Sequence, residues 1–278
     1  MENHNKLFLI GKTSVVIIMV AILIMVLFPL IWLFISSFKF DKEIIQYPPA
    51  LFAKHYTCLQ FFKVWDSIPL LSFFMNTLIF AGCVTVSSVL FDSMAGYAFA
   101  RLNFRGKKTL FIIVLLTMMV PFQVIMIPLF VEVFKLGLLN TYLGLILPRA
   151  TSAFGIYMMR SFFISLPKEL EESARMDGLS EFRIYWSIML PLCVPALITL
   201  GIFHFMNNWN DLLYPLMLTS STQMRTLSAG LAMFVGERAI EYGPTLAAAA
   251  ISILPLLLIY VFAQRYFVQG IATTGLKG

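Results

Sequence analysis

Residues 14–36 read SVVIIMVAILIMVLFPLIWLFIS, an apolar run from Ser14 to Ser36 without one charged side chain. A helix rises about 1.5 Å per residue and a bilayer's hydrocarbon core is about 30 Å thick, so about 20 apolar residues suffice to cross it. Lys6 and Lys12 precede the run as basic residues precede a signal peptide. Its apolar part is too long for one, however, and no small-residue cleavage site follows, so it reads as a retained anchor helix.

Five further stretches reach the same length: Leu71–Ala100, Thr109–Val131, Tyr142–Ile164, Leu192–Leu218 and Leu246–Val268. The composition agrees, with 60% hydrophobic and 12% charged residues and a mean hydropathy of +0.87. Soluble domains carry about 45–50% apolar and about 25% charged residues. A chain this poor in charge cannot cover its apolar surface in water, which excludes the soluble globular classes. The expectation is an all-α, polytopic membrane protein with six transmembrane helices.

Six crossings place both termini on one side, and the basic residues say which. With the N-terminus inside, the inner segments hold more Lys and Arg than the outer ones, and Arg101, Arg105, Lys107 and Lys108 cluster directly after the second stretch. Short basic loops stay in the cytoplasm, so the expected orientation is N-in and C-in. The net charge of +6 has this origin, and no basic run interleaved with aromatics points to nucleic acid. Cys58, Cys83 and Cys193 lack metal or redox spacing, and the two in apolar stretches read as small buried thiols.

The largest inner segment, 166–191, reads LPKELEESARMDGLSEFRIYWSIMLP. Pro167 suits a first helical position, and Glu169, Glu171 and Glu172 would then face the positive end of the helix dipole. Gly178 can terminate that helix in the left-handed conformation. Ser180 can cap a second one carrying Phe182, Ile184, Tyr185 and Trp186. Five acids against two bases between Lys168 and Glu181 disfavour attachment to an anionic lipid surface. The residues leave two readings open, a plain connector or a short helix for a groove on a soluble partner.

This segment resembles the EAA loop of ABC importer permeases, with Glu172, Ala174, Gly178, Ile188, Leu190 and Pro191 at the required offsets. Ser173 replaces the usual middle alanine and is also small. Further stretches resemble the carbohydrate-uptake branch, which includes the smaller permease of the maltose importer. They are Met94–Arg101, Val120–Val124 with Ile127–Leu129, Gly137–Thr141, Asn208–Asp211, Val268–Ile271 and Gly275–Gly278. The resemblance runs from about Ser72 to the C-terminus.

It implies a non-catalytic permease subunit of a multi-pass bacterial cell membrane importer for a sugar or oligosaccharide. Residues 1–70 would form an anchor helix and first outer loop, and residues 71–278 the permease core. The coupling loop 166–191, between the fourth and fifth helices, would dock on an ATPase through Glu172, Ser173, Ala174, Asp177 and Gly178, with Ile188, Leu190 and Pro191 completing the motif. The implied partners are a second permease subunit, two cytoplasmic ATPase subunits and an extracytoplasmic solute-binding protein. The permease itself would hold no cofactor, ATP being bound by the ATPase chains. Ser221–Tyr242 would face the binding protein, and the tail Gln269–Gly278 would approach the ATPases.

No catalytic set competes with this reading. Gly11-Lys12-Thr13 resembles the end of a P-loop, but Lys6 stands where the loop needs glycine. His4, His55 and His204 are far apart in sequence, with no metal spacing. Polar residues within spans are the remaining candidates, because burying them in lipid is costly. Asp92 and Arg149 read as a structural pair within the bundle. Asn207, Asn208, Asn210 and Asp211 cluster beside Trp209 and Tyr214, as groups that hydrogen-bond sugar hydroxyls beside rings that stack on pyranoses. The same groups could instead join helices. Alternatives are a permease for a solute such as a glycerol phosphoester, or an ion-coupled carrier in which Asp92 or Asp211 titrates.

Overall fold

The computed structural model describes the backbone of residues 2–237 and 241–275, and side chains for residues 14–232 and 241–261. Among the described residues every regular element is helical. Two compact units emerge, one combining residues up to Ile68 with Phe234–Leu254, the other Pro69–Met233 with residues from Pro255 onward.

The first unit contains α1 (Glu2–Ser37), α2 (Asp41–Ile44) and α3 (Leu59–Ser67). The apolar side chains of α1 from Val15 to Phe28 are exposed within this chain, as expected of a surface made for lipid or another subunit. After α1 the loop is organised around Lys39. Its ammonium lies 4.7 Å from the Trp32 ring centroid and donates to the Ala50 carbonyl, while its own carbonyl accepts from Gln60 Nε2 at 3.1 Å. Tyr47, Phe52, Tyr56 and Trp65 point outward.

The second unit is built on α4 (Leu70–Arg101). Then come α5 (Lys107–Thr117), α6 (Phe122–Lys135), α7 (Tyr142–Ile146), a 3-10 turn over Leu147–Arg149, and α8 (Ala153–Ser165). The expected inner loop, 166–191, carries α9 (Glu169–Met176) and α10 (Glu181–Ile184), which continues as a π turn over Tyr185–Met189 into α11 (Leu190–Leu192). It leads to α12 (Val194–Trp209) and α13 (Leu213–Leu218). Beyond them lie α14 (Leu227–Glu237) and α15 (Tyr242–Gly275), which bridge the two units in sequence.

The six expected stretches do not become six straight helices. Among the described residues, three helices are long and apolar enough to cross a membrane alone: Ser14–Ser37, Leu70–Arg101 and Tyr242–Val261. The third stretch is a pair, α5 and α6, bent by 100°, and α12 follows the inner-loop helices after an 82° bend. Counting each pair as one span gives up to five. The reasons are local. Pro121 precedes α6 and lacks the N–H that a continuous helix would use. Pro148 starts a 3-10 turn inside the fourth stretch, and Ser152 caps a new helix there by accepting from Gly155 N at 2.9 Å. The fifth stretch is interrupted between Trp209 and Leu213, where Asp211 Oδ1 accepts from Tyr214 N at 3.2 Å.

α4 packs on α8 and α12. Gly96 lets α8 approach so closely that an added Cβ would lie 2.7 Å from Met159 Cβ, the small-residue route to intimate helix contact. One apolar cluster, at the inner-loop end, joins Tyr97, Met159, Phe163, Ala174, Ile184, Tyr185 and Cys193. Another joins Phe80, Val84, Val133, Leu145, Tyr214 and Leu218. The expectation of buried thiols holds for Cys193 and fails for Cys83, which sits on an exposed part of α4.

Candidate functional site

The inner loop is a two-helix element clamped to the end of α4. Helix α9 starts at Glu169, after Lys168 as N-cap, two residues later than Pro167 at a first helical position would give. Its end is a Schellman turn: Gly178 N donates to the Arg175 carbonyl at 3.0 Å and Leu179 N to the Ala174 carbonyl at 3.1 Å. Gly178 has φ +78° and open space around a notional Cβ, so its requirement is conformational rather than steric. Ser180 occupies the N-cap position of α10 with extended backbone but makes no side-chain cap bond.

Helix α9 has two distinct faces. Ala174 packs into the inner-loop cluster, and Glu171 is buried beside it. Arg101 Nε lies 3.0 Å from Glu171 Oε1, with side-chain exposures of 5% and 3%. Arg101 Nη2 also donates to the Leu166 carbonyl at 2.6 Å. Arg175 extends the network, Nη2 reaching Glu171 Oε2 at 3.4 Å and Nε reaching Glu181 Oε1 at 2.7 Å. Tyr97 of α4 donates to Glu181 Oε2 at 3.1 Å, and the Ser93 and Tyr185 hydroxyls meet at 2.8 Å. Burial pushes the Glu171 carboxyl above its ordinary range, against the lowering pull of Arg101 and Arg175. The hydrogen bond to Glu181 holds the Arg175 guanidinium above its own.

The opposite face carries Glu169, Glu172, Ser173 and Met176, all exposed, with Asp177 and Gly178 beyond it. Thus Glu172, Ser173, Asp177 and Gly178 are available to a partner, whereas Ala174 holds the helix down. Ile188 and Leu190 pack half-buried against the inner-loop cluster, and Pro191 is exposed. Sequence reading passed over Glu171 as one of several acids. The i, i+4 spacing to Arg175 was its one local signal.

The second assembly lies among α4, α7, α8, α12 and α13. Asp92 is fully buried. Its Oδ1 accepts from Thr151 Oγ1 at 2.7 Å and Ser152 N at 2.8 Å. Its Oδ2 accepts from Ser152 Oγ at 2.9 Å and lies 3.0 Å from His204 Nε2. Gly155 provides the room, since an added Cβ would overlap that carboxylate. Asp92 and Arg149 are therefore each partnered, but not with one another as expected. Arg149 Nη2 lies 2.5 Å from Asp211 Oδ2 and Nη1 donates to Asn208 Oδ1 at 3.3 Å. Its guanidinium carbon sits 4.2 Å from the Tyr214 ring centroid. The two readings of the amide cluster thus divide by residue. Asn208 and Asp211 join helices, Asn210 Nδ2 donates to its own helix at the Met206 carbonyl at 3.0 Å, and Asn207 lines open space. His204, ionisable and within an apolar stretch, is the residue that sequence reading missed.

Beside these pairs is a cavity of about 280 Å³ lined by Arg149, Thr151, Ser152, Phe154, His204 and Asn207, with Pro148, Phe203 and Asn208 completing it. Among the described residues, no group of three or more His, Cys, Asp or Glu is placed to hold a metal ion.

Before α7, Asn140 has φ +59°. Its Oδ1 accepts from Ser220 N at 3.1 Å, Ser221 N at 3.0 Å and Ser221 Oγ at 3.0 Å. Asn76 Nδ2 donates to the Gln223 carbonyl at 2.6 Å and the Arg225 carbonyl at 2.9 Å. The start of the segment Ser221–Tyr242 is thereby pinned; residues 238–240 of it, and residues 276–278 of the tail, lie outside the described residues.

Long apolar helices and broken spans are the architecture of a polytopic helical membrane protein. Residues 92–273 match the family described as binding-protein-dependent transport system inner membrane component, and the chain belongs to that family of ABC importer permeases. The arabinooligosaccharides transport system permease protein of Halalkalibacterium halodurans is 36% identical over 254 residues, spanning 90% of this chain and 91% of that protein. Its namesake from Bacillus subtilis is 33% identical over 290 residues, spanning 100% of both. A bacterial ABC transporter involved in the import of the acidic polysaccharide alginate has a chain of the same fold. The TM-score is 0.82 and the identity 25%, covering 93% of this chain and 96% of that one.

Proposed function

We propose that this chain forms half of the transmembrane pathway of a sugar or oligosaccharide importer and transmits the work of separate ATPase subunits to it. The names of the oligosaccharide-transport relatives support the solute class. The observation that carries the coupling role is the two-faced helix α9. One face is locked to α4 through Arg101 and Glu171, and the other presents Glu172, Ser173 and Met176 outward.

Closure of two ATPase subunits around ATP then moves 166–191 as a lever, and α4, α8 and α12 turn with it between inward- and outward-facing states. The chain crosses the membrane six times, N-in and C-in, with the bent pairs and the broken fourth stretch completing the crossings. Residues 1–70 form the anchor and outer loop, and residues 71–278 the core. A second permease subunit completes the pore, and the binding protein delivers solute near Ser221–Tyr242. ATP is held by the partner chains, so the isolated permease hydrolyses none.

The test is ATPase stimulation in the reconstituted assembly against a panel of sugars delivered by the binding protein. Solute-dependent ATP turnover that drives uptake supports the reading. Uptake driven by an ion gradient without ATP contradicts it.

A further inference from the structure

We propose that the cavity beside Arg149 and His204 receives an uncharged glycosyl unit and discriminates against acidic sugars. This deepens the importer reading above and rests on it. Among the described residues, each ionisable group in the cavity wall or directly behind it already has a partner. Arg149 is held by Asp211 at 2.5 Å and by Asn208 at 3.3 Å, with its flat face over Tyr214. His204 faces Asp92 at 3.0 Å, and Asp92 is further saturated by Thr151 and Ser152. Among the described residues, an anion entering here meets no uncommitted cation, and a cation meets no uncommitted carboxylate.

What remains for a solute is neutral. Asn207 is an exposed amide in the wall, with both a donor and an acceptor to offer. Phe154 and Phe203 pack edge to face with ring centroids 5.9 Å apart, and Phe154 is 42% and Phe203 40% exposed. The Asn207 amide beside the exposed Phe154 ring matches the two faces of a sugar ring, its hydroxyls and its apolar C–H surface. The volume of about 280 Å³ falls just short of the usual range of ligand pockets, which begins at about 300 Å³. It accommodates one ring of an oligosaccharide rather than its whole length.

The test is ATP-driven uptake by the complete transporter in proteoliposomes, with the same binding protein throughout. The probes are galactobiose, cellobiose and arabinobiose against digalacturonate and glycerol 3-phosphate. Wild type is expected to take up an uncharged probe and neither anion. Asn207→Ala should raise the apparent KM for that probe roughly tenfold, the loss of about one hydrogen bond. Asp211→Asn, which releases Arg149, should shift the uptake ratio about tenfold toward digalacturonate. An anionic probe as the preferred wild-type solute, or an unchanged KM in Asn207→Ala, would overturn the cavity assignment while leaving the importer reading intact. Failure of ATP to drive uptake of every probe would overturn the importer reading itself, and this one with it.

Discussion

Arg101, in the last turn of α4, and Glu171, in the first turn of α9, form an ion pair at 3.0 Å that is almost wholly withdrawn from solvent. Removing one member leaves the other charge buried and unmatched, which costs about 3–5 kcal/mol, whereas replacing both with apolar groups is often neutral. Arg101→Met and Glu171→Leu should each lower the thermal midpoint of the purified protein in detergent. The double variant should recover most of the loss. A double variant as unstable as the sum of the singles would show that the pair is not the relevant contact.

The same carboxyl sets a pH dependence. Glu171 in the fold titrates above its ordinary value of 4.5, burial outweighing Arg101 and Arg175. A carboxyl with a raised folded-state pKa binds its proton more tightly when folded. Its contribution to stability is therefore fully present below about pH 4.5 and is lost as pH rises through the raised value. Hydrogen exchange of the α9 amides should accelerate across that window, and Glu171→Gln should flatten the profile. Arg101→Met deletes a lowering influence and should move the window to higher pH.

At Gly178 the backbone, not crowding, is decisive, with φ +78° and nothing near a notional Cβ. Gly178→Ala should weaken the end of α9 by about 1–2 kcal/mol, the cost of a left-handed L-residue. Gly178→Asn should be milder, because asparagine tolerates this conformation better. Gly178→Asp should abolish co-purification of the ATPase while the protein still inserts in the membrane. Normal co-purification and transport by that variant would argue against the docking role.

Gly155 presents the opposite case. A methyl there would meet the Asp92 carboxylate, and Asp92 anchors Thr151, Ser152 and His204. Gly155→Ala should destabilise by about 2 kcal/mol or more, as overpacking displaces a buried group from its hydrogen bonds. Asp92→Asn keeps the volume and should cost less than Gly155→Ala. Thermal midpoints of the two variants decide the order.

The apolar stretches were legible because helix length and hydrophobicity are properties of a local run. So was the turn at Gly178, whose glycine closes a helix that its neighbours open. The breaks at Pro121 and Pro148 were visible as prolines. Their effect was not, since membrane helices often carry proline without interruption, as Pro29 and Pro255 do here. Long-range pairing was the blind spot. Arg101 and Glu171 are 70 positions apart, and Asp92 and His204 are separated by 112. A buried glutamate among four other acids, three of them exposed, looks the same as its neighbours in sequence. Only the packing of Ala174 against the inner-loop cluster turns Glu171 inward and leaves Glu172 outward.

The most direct measurement is site-specific photo-cross-linking from Met176, 88% exposed on the outer face of α9, in the assembled transporter in membranes. The account predicts an adduct with the ATPase subunit whose yield changes on ATP binding. Adducts confined to lipid or to the permease chains, unchanged by ATP, would contradict it.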